Sequence, residues 1–161
     1  MTTSSFRSVF VPLDGSRFAE QALPLAVDLA RQAGAVLQVG LVHDPAPALA
    51  SALDVPIIDA QLDQETRVRE QAYLQGIEKQ LSNTVTTPVT STLLDGPVAP
   101  SLQSHIERSG VDLVMMTTHG RGPLSRFWLG SVADQLMRRL RVPIVLLRPS
   151  ADLIAPVSIH R

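Results

Sequence analysis

The sequence predicts a doubly wound α/β fold, a Rossmann-like five-stranded parallel sheet with helices on both faces, on three observations. Short apolar runs recur along the chain with little alternation of polar residues, the pattern of parallel strands covered on both sides. Between them lie segments whose apolar residues return every third or fourth position, as one face of a helix requires. The junctions carry turn-forming residues, such as Asp14-Gly15-Ser16 and Asp95-Gly96-Pro97. Strand, turn and helix therefore alternate in the order that builds a parallel sheet by right-handed crossovers.

Ser8-Val9-Phe10-Val11-Pro12-Leu13 reads as the first strand, and Pro12 near its end tells against the ladder continuing there. Ser16 is placed to cap a helix in which Phe18, Ala22, Leu25, Ala26, Leu29 and Ala33 keep one face; Pro24 should kink it and Gly34 should end it. Val36 to Val42 is the second strand. Residues 44–60 are rich in proline and alanine, a long connection that suits either a binding loop or a passive insertion. A charged helix runs from Asp63 to Leu81 with Leu74, Ile77 and Leu81 on one face. Val89 to Leu94 is the third strand, followed by a helix with Val98, Leu102 and Ile106 on one face, ended by Gly110. The fourth strand is Val111-Asp112-Leu113-Val114-Met115-Met116. After a polar loop, Gly130-Ser131 opens a helix carrying Val132, Leu136 and Leu140, with Ser131 its expected cap, and Pro143-Ile144-Val145-Leu146-Leu147 is the last strand.

At 161 residues, 45% hydrophobic and 18% charged, the chain fits one domain over residues 1–149 with a tail at 150–161. It has no cysteine, which removes disulfides, thiol nucleophiles and cysteine metal sites. Neither a basic segment leading into an apolar stretch nor a run of about 18 apolar residues occurs, so no signal peptide and no membrane span is expected, and the cytoplasm is the expected compartment. A net charge of −1 and six aromatic residues (four Phe, one Trp, one Tyr) argue against a nucleic-acid binder. The four histidines, at 43, 105, 119 and 160, are not spaced with a carboxylate or with one another as a metal site would be, and no metal site is expected.

The chemistry concentrates after the fourth strand. Thr117-Thr118-His119-Gly120-Arg121-Gly122-Pro123 is polar and glycine-bearing, and Gly130-Ser131 then starts a helix. A helix start presents unpaired N–H groups and about half a positive charge, and glycine lets backbone approach an anion closely, so this stretch suits a phosphate. From Arg121 to Arg148 there are six arginines against one acid, Asp134, a local balance of +5. Arg138, Arg139 and Arg141 lie near the helix end, where cations offset its dipole without any ligand; Arg121 and Arg126 lie in the loop, nearer a phosphate. His119 could contact a phosphate or serve as a turn histidine, and Phe127 and Trp128 could stack on a base or anchor the loop in the core. Asp14 leaves the first strand where ligands of open parallel sheets sit, at the point of strand-order reversal, and could hold ribose hydroxyls; the alternative is that it caps the helix or forms a turn with Gly15.

These residues carry a resemblance to the universal stress protein family. Its nucleotide-binding branch has the signature G-x-x-G, nine residues, G-[ST]. Here Thr117-Thr118-His119-Gly120, nine residues, and Gly130-Ser131 stand in its place, with threonine at the first glycine. The resemblance runs from Phe6 to Arg148 and implies strand order 3-2-1-4-5. It implies ATP, with Mg2+, held by Pro12, Asp14 and Val42 at the nucleoside and by Met116, Gly120, Gly130, Ser131 and Val132, with Thr117 at the altered signature position; His119 and Arg121 join this set by their place in the loop. It also implies a homodimer that pairs the last strands of two copies through Val142-Pro143-Ile144-Val145-Leu146-Leu147.

Two classes of function follow. The first is an ATP-binding stress-response regulator with at most slow hydrolysis: no Gly-Lys-[ST] occurs, and nothing holds a base against Ser131 in a triad assembled with His119 and Asp14. The alternative is a dimeric adaptor of the same fold that works without nucleotide.

Overall fold

In the computed structural model, which describes residues 6–45, 60–118 and 130–148, one five-stranded parallel sheet has the order β3-β2-β1-β4-β5. In chain order the elements are β1 (Ser8–Leu13), α1 (Arg17–Glu20), α2 (Leu23–Ala33), β2 (Val36–His43), α3 (Ala60–Ser82), β3 (Val89–Asp95), α4 (Val98–Arg108), β4 (Leu113–Thr117), α5 (Ser131–Arg139) and β5 (Ile144–Leu147). All six residues of β1 and all five of β4 are buried, as strands covered on both faces must be. Alternate side chains feed two cores. Val9, Val11 and Leu13 join Leu37, Val39, Leu41 and the buried faces of α2 and α3, while Phe10 joins Leu102, Ile106, Val114 and Leu136 on the side of α4 and α5.

The expected single kinked helix over Phe18 to Ala33 is two helices. Ser16 Oγ accepts the Ala19 amide at 3.2 Å to cap α1, and the chain restarts at α2 with Pro24 in its first turn, where a missing N–H costs nothing. The restart shifts the phase of the buried face to Leu23, Ala26, Val27 and Ala30, and leaves Leu25 40% exposed instead of in the core. Gly34, at φ 66°, closes α2 in the left-handed region.

Pro12 does not interrupt β1, and the alternation of peptide groups explains it. Arg7 C=O accepts from Val36 on the β2 side, and Ser8 C=O accepts from Asp112 on the β4 side. Counting on by twos, the Pro12 nitrogen faces β4, where pairing has already ended at Phe10 and Val114, so no ladder donor is lost. The two strands are tied at their amino ends, where the Asp112 carboxylate accepts the amides of Arg7 and Ser8 at 3.0–3.2 Å. Toward their carboxyl ends they are free to part. β1 keeps six register pairs with β2 and only two with β4.

The long α3 starts three residues earlier than the sequence predicts, and its buried residues, Leu74, Ile77 and Leu81, all lie in its carboxyl-terminal half. Among the described residues β5 is a sheet edge, paired with β4 alone, and its four residues are half-buried.

Candidate functional site

Where β1 and β4 part, a crevice of about 360 Å³ opens at the carboxyl end of the sheet. This is the switch point of the fold: β1 leads to β2 on one side, whereas the chain returns through α4 to β4 on the other. The volume falls at the lower end of the range usual for small-molecule sites, about 300–1,000 Å³.

One wall is the end of β1, with Pro12, Leu13 and Asp14. Gly15, at φ 76°, turns the chain out of the strand, and the Asp14 carboxylate accepts the Ser16 amide at 2.9 Å. The local turn and the placement at the crevice are therefore both present: one hydrogen bond orients a carboxylate that lines the opening. The cap at Ser16 then brings Ala19 of α1 to the wall.

The opposite wall is Met116 and Thr117 at the end of β4 and Gly130, Ser131, Val132 and Ala133 at the start of α5. Thr117 is 6% exposed and sits in the ladder opposite Leu147. That extended conformation makes no demand for glycine, so threonine is accommodated at the first signature position without backbone strain. The expected cap at Ser131 is not formed. α5 begins at Ser131, its N-cap is Gly130, and among the described residues no side-chain cap takes up the first-turn amides. Those amides have no intrahelical partner either, so the positive end of α5 is presented along the crevice. Arg138 and Arg139 lie in the last turn of α5, and Arg138 bonds Asp134 at 2.9 Å, which accounts for them without a ligand.

Of the expected site residues, Pro12, Asp14, Met116, Thr117, Gly130, Ser131 and Val132 are brought together. Val42 is not among the residues lining the crevice; at the end of β2 it packs against the core on the α4 side, which also holds Leu102, Met116 and Ala133 of the crevice wall. His119, Gly120 and Arg121, like Arg126, Phe127 and Trp128, lie outside the described residues, as do most of the 44–60 connection and the tail. Sequence reasoning missed Leu13, Ala19, Val98, Leu102 and Ala133 as lining residues. Val98 and Leu102 were visible as a helical face, but nothing local says that one edge of that face borders a cavity. Among the described residues no helix is long and apolar enough to cross a membrane, and no group of three or more His, Asp or Glu side chains could hold a metal.

A model of the universal stress protein family matches residues 5–148. A putative universal stress protein of Staphylococcus haemolyticus is 27% identical over 145 residues, covering 89% of this chain and 86% of that protein. Among solved structures, a universal stress protein in complex with cAMP aligns with a TM-score of 0.67 at 18% identity, over 90% of this chain and 98% of that one. An Arabidopsis thaliana protein of the family with AMP bound aligns with a TM-score of 0.65 at 12% identity, over 95% and 97% of the two chains. At these identities the structural likeness is one of fold.

Proposed function

The chain belongs to the universal stress protein family, and from this premise we propose that it is a regulatory protein of the stress response that binds ATP with Mg2+ in the crevice between β1 and β4. The observation that carries the proposal is the pairing of unlike groups across one opening: the Asp14 carboxylate on one side and the uncapped start of α5 on the other. A carboxylate suits ribose hydroxyls, and helix amides suit phosphate oxygens. Pro12 and Asp14 take the nucleoside in this reading, while Met116, Thr117, Gly130, Ser131 and Val132 border the phosphates together with His119, Gly120 and Arg121. The complexes of relatives with cAMP and AMP support an adenine nucleotide as the ligand class. Hydrolysis in this reading is at most slow, because the chain has no Gly-Lys-[ST] phosphate loop and Asp14, the acidic residue lining the crevice, is already engaged in its turn.

Thermal unfolding of nucleotide-stripped protein tests this directly. Ligand at 100 times its dissociation constant adds about 2.7 kcal/mol, so millimolar Mg·ATP is expected to raise the midpoint by roughly 5 to 10 °C for a domain of this size, with GTP giving less. No shift with ATP, AMP or GTP would refute nucleotide binding and leave the adaptor reading, which the threonine at the first signature position favours.

We also propose that the working form is a homodimer joined through Val142 to Leu147, in the cytoplasm. An apolar strand left as a sheet edge invites pairing with another chain, and β5 is such an edge. Size-exclusion chromatography with light scattering is expected to give twice the 17.4 kDa chain mass; a monomer mass at micromolar concentration would overturn the dimer.

A further inference from the structure

His43 ends β2 and continues the face of Leu37, Val39 and Leu41, so its ring lies beneath α3. The side chain is 3% exposed, and both ring nitrogens are engaged: Nδ1 with Glu70 Oε2 at 2.6 Å and Nε2 with Asp63 Oδ1 at 3.0 Å. The two carboxylates are seven residues apart on α3, two turns, and so share one helix face. An ionised carboxylate only accepts hydrogen bonds, and a neutral imidazole donates from one nitrogen only. Both contacts are therefore satisfied together by the imidazolium.

α3 is held in two different ways along its length. Leu74, Ile77 and Leu81 bury its second half, whereas none of its residues before Leu74 is buried, and Leu62 and Val68 are more than half exposed. The first half meets the sheet through charge: His43 with Asp63 and Glu70, and Arg67 with Asp95 at the end of β3. Tyr73 marks the boundary, its hydroxyl donating to Glu20 of α1 at 2.9 Å.

We infer that residues 60–70 of α3 form a proton-controlled segment, docked on the ends of β2 and β3 while His43 is doubly protonated and released when it loses one proton, with Leu74 to Ser82 remaining packed. The charged surroundings are accounted for element by element. From α3 come Asp63, Glu70 and Arg67. From β3 comes Asp95, the register partner of His43, which Arg67 engages. β1 ends in apolar Leu13 opposite Leu41, followed by Asp14 in its own turn. In α1, Glu20 accepts from Tyr73, and in α2, Asp28 and Arg31 pair with each other. His105, Glu107 and Arg108 of α4 belong to the helix on the other face of the sheet, and Asp44, next in the chain, is exposed.

Burial opposes the charge on His43, but the hydrogen bonds and fields of Glu70 and Asp63 outweigh it, and its pKa stands above the ordinary 6.5. A raised folded-state pKa contributes stability that is complete below the unfolded value and lost as pH rises through the folded one, so docking weakens as pH rises beyond the ordinary histidine range. The inference is independent of what the crevice binds.

Amide hydrogen exchange on the full chain, expressed as protection relative to intrinsic rates, tests it at about pH 6 and pH 9. Protection of 60–70 is expected to fall about tenfold between them, the effect of losing one charge-assisted hydrogen bond, while 74–82 keeps its protection. His43→Gln should show low protection of 60–70 at both pH values. Glu70→Gln, at a helix position whose side chain is 24% exposed, gives the same readout should the buried substitution fail to fold. Equal protection of 60–70 at the two pH values in the unaltered protein, or an equal fall in both variants, would overturn the inference.

Discussion

Replacing Gly40 by valine is expected to lower the unfolding free energy by about 3 kcal/mol and the thermal midpoint by roughly 6 to 12 °C. Gly40 lies in the middle of β2, opposite Pro12 on β1 and Thr92 on β3. A Cβ there would stand 2.8 Å from Cε2 and Cζ of Phe10, far inside van der Waals contact. The ring has nowhere to go: Phe10 is fully buried in a strand paired on both sides, and it packs against the His105 ring at a centroid distance of 5.0 Å. Gly40 is not in the left-handed region, so the cost is one of space and not of backbone conformation. Calorimetry of Gly40→Val, Phe10→Leu and the double variant separates the cause. Relief of the clash by the smaller side chain should make the double variant more stable than the sum of the single changes by more than about 0.5 kcal/mol; strict additivity would show that the ring is not the obstacle.

Gly130→Val is expected to weaken Mg·ATP binding at least about 100-fold, close to 2.7 kcal/mol, in a protein that still folds. The two halves of this expectation have separate grounds. Among the described residues a Cβ at Gly130 would meet nothing within 4 Å, and φ is −54°, a value open to any residue, so the unliganded fold is expected to tolerate a side chain. The stability change should stay near the roughly 1 kcal/mol that separates a good N-cap from a poor one. In the proposed complex the same side chain would stand between the first amides of α5 and the phosphates. Isothermal titration alongside thermal unfolding distinguishes the effects, and unchanged affinity in a folded Gly130→Val protein would refute the role given to the start of α5.

The central strands β1 and β4 were legible in the sequence almost residue by residue, because a parallel strand covered on both faces must be apolar throughout and carries that requirement in its own composition. The end of α2 at Gly34 and the cap at Ser16 were legible for a similar reason: each depends on a few neighbouring residues. The phase of α2 was not. Counting through Gln21 and Ala22 assumed one continuous helix, and a break of two residues between α1 and α2 rotates the buried face from Leu25 to Leu23 and Val27. Ser131 was misplaced by one position, since Gly130 and Ser131 are both acceptable N-caps and only the backbone decides between them.

The candidate site divides in the same way. Asp14, Thr117, Gly130 and Ser131 could be named from sequence because strand ends and helix starts are local features. That they line one crevice depends on β1 and β4 pairing at Phe10 and Val114 and parting beyond, a contact between segments about a hundred residues apart. His43 shows the limit most plainly. No spacing in the chain connects it with Asp63 and Glu70, and the sequence by itself placed it only just beyond the second strand, which it ended at Val42. What local composition determined was the alternation of elements and the chemical types available at their ends. What only the tertiary structure decided was which of those ends meet, because burial of a charged histidine becomes tolerable only when the fold delivers its partners to it.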